Sequence, residues 1–173
     1  MKVVIIAVLL MLSAICSATE TAFSSCNRIR LKKLADDGNK SAKKAMNICD
    51  NFDKALTAIL VGNNVVNISS SSIATVLFTE KFGKGSVGLA TVVMTVLVLI
   101  FGEILPKSLA KENSERFSIL MAAPLSAFMF IITPITAIFM GIKSGVSKLV
   151  GNKNSEPSVT CLLYTSPSPR DPK

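Results

Sequence analysis

The run Val87-Gly-Leu-Ala-Thr-Val-Val-Met-Thr-Val-Leu-Val-Leu-Ile-Phe-Gly102-Glu103-Ile-Leu-Pro106-Lys107 decides how this chain folds. From Val87 to Leu105 its only ionisable side chain is Glu103. A helix needs ~20 apolar residues to cross a bilayer core, and this run supplies them. A carboxylate at the edge of hydrocarbon is expensive and needs a compensating partner. Pro106 sharpens the point, because an α-helix would bond the N–H of residue 106 to the Gly102 carbonyl and proline has no N–H. A freed carbonyl beside a carboxylate at a helix break reads as a cation site. From this stretch alone, a helix end with an interfacial Glu explains the residues equally well.

Outward from this run the chain is as apolar. Half of its 173 residues are hydrophobic, mean hydropathy is +0.53 and there is no Trp. Those residues lie in four blocks, Val3–Ala18, Ala55–Phe78, Val87–Leu105 and Phe117–Ile142, which is a membrane pattern rather than that of a soluble domain. The first block reaches spanning length only by continuing through Ser17, Thr19 and Thr21. Its Met1-Lys2 start and Ser-Ala-Ile-Cys-Ser-Ala end also have the outline of a secretory signal, but Glu20 and the Ser/Thr cluster that follow favour a span. The fourth block is interrupted by Pro124 and Pro134, which favours broken helices over one straight crossing. The predicted fold is all-α and integral to the membrane. It has three transmembrane helices (about 3–23, 55–78 and 87–105), juxtamembrane helices over about 27–54 and 114–148, the latter a helical hairpin, and a tail over 151–173. Four full spans is the alternative.

Charge sets an orientation. The net charge of +8 is uneven: Arg28, Arg30, Lys32, Lys33, Lys40, Lys43, Lys44 and Lys54 lie between the first two blocks, and only Lys81 and Lys84 between the next two. The positive-inside rule then places 27–54 in the cytoplasm, the 79–86 turn outside, and the N-terminus outside. Ile29, Leu31, Leu34, Ala42, Ala45, Met46 and Ile48 punctuate the basic segment at helical spacing, so it is expected to lie on the inner surface of the cytoplasmic membrane against lipid headgroups. The same basic character on a soluble chain would suggest nucleic acid; between two membrane blocks it does not.

Enzyme chemistry finds little support. The chain has no His, its four cysteines (Cys16, Cys26, Cys49 and Cys161) form no C-x-x-C pair, and no phosphate-binding glycine loop or nucleophile elbow occurs. What it does have is neutral oxygen at helical spacing. Ser13, Ser17 and Glu20 share one face of the first block, and Asn63, Asn67 and Ser71 one face of the second. Hydroxyls also mediate close helix packing, but two asparagines within a span must find partners away from water. Ser13 and Ser17, Asn67 and Ser71, and Gly102 with Glu103 together offer about six oxygens, the number magnesium prefers. Sodium takes the same neutral oxygens and is the closest competitor.

Four ordered motifs then resemble a known family. They are Ser13-Ala-Ile-Cys-Ser17-Ala-Thr-Glu20-Thr-Ala22, Asn27-Arg-Ile-Arg-Leu31, Gly62-Asn-Asn-Val-Val-Asn67-Ile and Phe101-Gly-Glu-Ile-Leu-Pro-Lys107. Over 3–150 the chain resembles the transmembrane domain of the CorC/cyclin M (CNNM) magnesium transporters. The resemblance implies a homodimeric inner-membrane domain with an external N-terminus, exporting Mg2+ against an inward flow of Na+. It also implies a dehydrated ion held by Ser13, Ser17, Asn67, Ser71, the Gly102 carbonyl and Glu103. Two departures stand out. Ala18-Thr19 replace the family's usual Gly-Ser before Glu20, and the CBS pair that usually follows is missing. The proline-rich Cys161–Lys173 ending resembles translated adapter sequence and is expected to be unstructured. The rival functions are a membrane-anchoring dimerisation module for a missing regulatory domain and a sodium-coupled carrier of another solute.

Overall fold

The computed structural model describes residues 1–149, and among them there is helix but no strand. The first helix, α1 (Lys2–Ser25), leads into two short helices, α2 (Arg28–Asp36) and α3 (Lys40–Asp50), and then into the long α4 (Phe52–Phe82). A 3-10 turn (Lys84–Ser86) opens α5 (Val87–Leu97), which passes through a π-helical segment (Val98–Ile104) into α6 (Leu105–Glu112), and α7 (Ser114–Leu149) follows. The chain divides into two compact units, Met1–Thr136 and Ala137–Lys173. All packing described below belongs to the first. The tail expected over 151–173 lies outside the described residues.

Local chemistry punctuates the helices where the motifs lie. The Asn27 side chain accepts from the N–H groups of Ile29 and Arg30, at 3.0 and 3.2 Å, and so caps α2. Asn39 does the same for α3 through Ser41 and Ala42. These bonds satisfy N–H groups that an α-helix leaves without partners at its start. Past the end of α4, Gly83 takes φ of +83°, a left-handed conformation that costs glycine least.

Three contacts fix the direction of α4 against α1. Lys2 pairs with Glu80, Ile6 shares a cluster with Ala74, and Ser13 bonds Asn63. As one number rises the other falls, so the two helices are antiparallel. Against the third crossing the order is reversed: Ser13 meets Gly102, Glu20 meets Lys107, and Ala18 and Ala22 cluster with Ala110. The α5–α6 segment therefore runs parallel to α1. Down, back and down again is the order that three successive crossings require.

The surface confirms what kind of solvent this unit faces. Ser13, Ser17 and Ser70 are fully buried, whereas Ile68 on α4 is 68% exposed and Val92 on α5 is 62% exposed. In water this polar-in, apolar-out arrangement would forfeit the hydrophobic effect on every helix; against lipid tails it costs nothing. Among the described residues three helices are long and apolar enough to cross a membrane: Lys2–Ser25, Lys84–Glu112 and Ser114–Pro134. The second predicted span, 55–78, is not among them, because Asn63, Asn64, Asn67 and Ser69–Ser72 dilute its apolar character. It nevertheless lies in α4, whose 31 residues reach ~46 Å at 1.5 Å per residue. Leu60, Val65, Ile68 and Val76 are among the exposed side chains of 55–78, with Asn64 and Ser72 the exposed polar ones.

The hairpin expected over 114–148 is corrected to a single helix that carries Pro124 and Pro134 inside it. Each proline removes one backbone bond, and membrane helices absorb that loss when hydroxyls back the neighbouring carbonyls. Nearby, the Ser126 hydroxyl donates to the Ala122 carbonyl and that of Thr133 to the Met129 carbonyl, while the prolines themselves leave the carbonyls of Leu120 and Phe130 without their usual donor. The first turns of α7 close the base of the bundle. Ala122 and Leu125 join Leu31, Ala42, Ala45 and Ile48 from α2 and α3, with Phe23, Ala55 and Ile59 from α1 and α4. Arg30 pairs with Glu115 at 3.0 Å and the Ser114 hydroxyl reaches the Ser25 carbonyl.

Phe128 of α7 seats on Gly62 of α4, where a β-carbon would stand 2.7 Å from the ring's Cζ. Gly62→Ala should therefore destabilise the unit by ~1–3 kcal/mol, the usual cost of overpacking. Thermal melts in detergent, with Phe128→Leu as the relieving second change, test this; equal melting of Gly62→Ala and wild type would refute the contact.

Candidate cation site between three helices

The centre of the membrane unit is a polar cluster where α1, α4 and the π-helical segment meet. Ser13 donates to the Asn63 amide oxygen at 2.9 Å, both groups being buried. Gly102 is packed against the same hydroxyl: a β-carbon on residue 102 would lie 2.9 Å from Ser13 Oγ. Hence α1 and the third crossing approach each other closely only because residue 102 has no side chain, the use membrane helices make of glycine.

One turn further along α1, Ser17 is fully buried and its hydroxyl has no hydrogen-bond partner. On α4, one turn beyond Asn63, the Asn67 Oδ1 atom is likewise buried and unpartnered. An unmade hydrogen bond at a buried polar atom costs ~1–3 kcal/mol. These two are the orphaned buried side-chain oxygen atoms among the described residues. They come from two of the three motifs that meet at Ser13.

The third helix contributes backbone. The last five-back bond of the π-helical segment runs from the Leu105 N–H to the Ile100 carbonyl. The four-back ladder of α6 starts from Ile104 as its cap residue, whose carbonyl accepts the first bond of that helix. Between them lie the carbonyls of Phe101, Gly102 and Glu103, served by the N–H of Lys107 alone because Pro106 has none. The helix break expected at Pro106 is thus corrected to a continuous helix with a wide turn. The physical result is the one the proline implies, a local excess of carbonyl oxygen. Beside it Glu103 is half-buried and has no ion-pair partner among the described residues. Lys107, one turn away, is drawn off by Glu20 on α1, at 3.6 Å.

The six residues that the sequence singles out do not all arrive. Ser13, Ser17, Asn67 and Gly102 face the interior, and Glu103 lies at its edge. Ser71 is half-buried, and among the described residues its hydroxyl bonds no other helix; Ser70 is the fully buried serine there, donating to the Asn67 carbonyl. Asn63 shares the helical row of Asn67 but is absent from the expected ligand set; its contact with Ser13 depends on the antiparallel register of α1 and α4. Thr19 spends its hydroxyl on the Ile15 carbonyl at 2.6 Å, within its own helix. Among the described residues no three Cys, Asp or Glu side chains converge, so the oxygens that Ser13, Ser17, Asn63 and Asn67 bring to the cluster are neutral. A cavity of about 390 Å3 lined by Arg30, Glu112, Asn113, Ser114, Glu115 and Arg116 lies elsewhere, at the turn between α6 and α7, and shares no residue with the cluster.

What the geometry defines is an all-helical membrane domain that buries unpartnered oxygens where three crossings meet. Residues 4–161 match the cyclin M transmembrane N-terminal domain, and the chain belongs to that family. It is 37% identical over 150 residues to a UPF0053 protein of Haemophilus influenzae, an alignment covering 87% of this chain and 36% of that one. With the UPF0053 inner membrane protein YfjD of Escherichia coli it shares 33% over 167 residues, covering 91% and 39%. A chloroplastic DUF21 domain-containing protein of Arabidopsis thaliana is 34% identical over 157 residues, covering 90% and 24%. The chain thus spans about a quarter to two-fifths of the length of these curated relatives.

The Gly102–Ser13 approach gives a double-variant test. Gly102→Ala should cost ~1–3 kcal/mol of stability through overpacking, and adding Ser13→Ala should recover part of it by removing the hydroxyl. Melting curves of the two single variants and the double variant measure the coupling; strict additivity would show that the two residues do not touch.

Proposed function

We propose that this domain carries magnesium, or a hard divalent cation like it, across the cytoplasmic membrane through the polar cluster. The observation that carries the reading is the pair of buried, unpartnered oxygens on Ser17 and Asn67, backed by the surplus carbonyls at 101–103. Burying oxygens without donors is costly in lipid unless something positive visits them. A dehydrated cation supplies that charge, and its preference for about six oxygens suits hydroxyl, amide, carbonyl and carboxylate donors. Glu103 supplies the one negative charge and so lowers the cost of stripping water from the ion. The pairing of Glu20 with Lys107 supports this role, because it draws the nearest lysine in sequence away from Glu103.

The wider reading follows the family resemblance. The domain works as a homodimer in the inner membrane with its N-terminus outside, and exports magnesium in exchange for sodium. The basic helices α2 and α3, with Arg28, Lys32, Lys33, Lys40, Lys43 and Lys44, rest on anionic headgroups of the inner leaflet, each cation near the surface contributing about 1 kcal/mol. The exposed Ile29 beside them suits insertion among the acyl chains.

Calorimetric titration of magnesium into the purified domain should give saturable heat for wild type, which Ser17→Ala and Asn67→Ala weaken and Glu103→Gln abolishes. Heats from Glu103→Gln equal to wild type would end the cation-site reading in favour of a membrane-anchoring module. Sodium chloride in place of magnesium separates the two ions: heat from sodium alone would assign the site to a sodium-coupled carrier.

A further inference from the structure

Two of the cysteines, dispersed in sequence, meet in space. Cys26 is the residue that ends α1, and Cys49 lies in the last turn of α3, three residues before α4 begins. Their sulfur atoms are 3.6 Å apart. Both thiols are free, Cys49 buried and Cys26 half-buried. The contact is held from both sides. Arg28 donates to the Cys49 carbonyl at 2.9 Å, bracing the end of α3 against the start of α2, and the Cys26 thiol points to the Phe23 carbonyl at 3.3 Å. The shared cluster around them, with Phe23, Leu31, Ile48 and Ala55, is among the best-buried parts of the unit.

We propose that Cys26 and Cys49 are a redox-active dithiol that reacts with low-molecular-weight disulfides and closes reversibly into a bond tying the base of α1 to the base of α4. The division of labour follows from exposure. Cys26, the more accessible sulfur, attacks as thiolate and forms a mixed disulfide with one half of the reagent, expelling the other half as thiolate. Cys49 then gives its proton to solvent and attacks the Cys26 sulfur, expelling the second half. Two protein thiols are oxidised and one external disulfide is reduced to two thiols. The environment suits these roles. The hydrogen bond from Cys49, helped by Ser118 and the charge of Arg28, outweighs burial and brings the Cys26 thiol down to about 7, against ~8.5 for an ordinary cysteine. Cys49 is pushed up, first by that same hydrogen bond and then by burial, with the charge of Asp50 adding and Arg28 opposing. A low attacking thiol and an inert resolving one is the arrangement that thiol–disulfide exchange favours.

The bond would join the helix carrying Ser13 and Ser17 to the helix carrying Asn63 and Asn67, from one position past the end of the first to three positions before the start of the second. Its effect on flux rests on the transport reading above, but its formation does not, and the experiment keeps them apart. The full chain with Cys161→Ser, reduced and held in lipid nanodiscs near neutral pH, is incubated with oxidised glutathione, alkylated, digested and read by mass spectrometry. The expected product is a Cys26–Cys49 cross-linked peptide that dithiothreitol reverses. Cys49→Ser should stop at a glutathione adduct on Cys26, and Cys26→Ser should slow loss of the Cys49 thiol by about tenfold or more, because that sulfur is buried. Alkylation of Cys26 in a Cys49→Ala background, where residue 49 can no longer donate, should lose its low-pH reactivity and shift toward that of an ordinary cysteine, whereas in the parent it should be half-maximal near pH 7, rising with pH. Absence of the cross-linked peptide while Cys16 is modified, or equal reactivity of Cys26→Ser and its parent, would overturn the proposal. Cross-linking together with silent magnesium calorimetry would leave the dithiol standing and remove the transport reading.

Discussion

The hydrogen bond from Ser13 to Asn63, made against a glycine, holds the rest of this unit in place. In lipid there is little hydrophobic force between helices, so crossings associate through close packing and through polar groups that have nowhere else to go. Ser13 answers both needs at once. Its hydroxyl occupies the space a side chain at 102 would fill and bonds the one asparagine that the antiparallel α4 brings level with it. Once that three-way contact is made, the remaining pairs are set. Cys26 faces Cys49, Lys2 faces Glu80, and Ala18 and Ala22 face Ala110.

From that registration comes the separation of the two kinds of polar group. Those that can be satisfied within the protein are satisfied: Thr19, Ser70, Ser72, Thr75 and Thr79 all donate to carbonyls one turn earlier in their own helices. Ser17, Asn67 and Glu103 are left over, Ser17 and Asn67 one turn to either side of the Ser13–Asn63 bond. The Glu20–Lys107 pair reinforces the contrast, for it takes a positive charge one turn from Glu103 and spends it on a contact between helices.

Much of this architecture is legible in the order of the residues. The apolar blocks, the basic segment between the first two, and the Ser, Asn and Gly-Glu-x-x-Pro elements define an all-helical membrane domain, and four of the six candidate ligands face its interior. What is not legible depends on rotation and register. Asn63 and Asn67 are one turn apart, and only the height of α4 against α1 decides which one meets Ser13. Ser70 and Ser71 differ by a rotation of ~100°, which periodicity alone cannot assign within a run of four serines. Pro124 and Pro134 read as breaks because proline removes a bond, yet the loss is one local bond each and the helix continues through both. The Cys26–Cys49 contact has no local signature at all, since the two residues are brought together by the turns around α2 and α3.

The wide turn at Val98–Ile104 has a consequence for how this segment can vary. A π-helical turn holds one residue more than the α-helix needs, so it sets the rotational phase of everything after it. Removing any one residue between 98 and 104 would let the helix close into regular α geometry without harming its apolar character. It would leave Lys107 and Ala110 close to their present phase against Glu20, Ala18 and Ala22, because six α-helical residues at ~100° each turn the chain nearly as far as seven in the wider turn. What it would remove is the surplus of carbonyl oxygen at 101–103. Closing the same seven residues into α geometry with none removed is the change that would swing both residues about 100° away from α1. The extra residue is thus a store of unpaired backbone that the third crossing carries without losing its grip on α1.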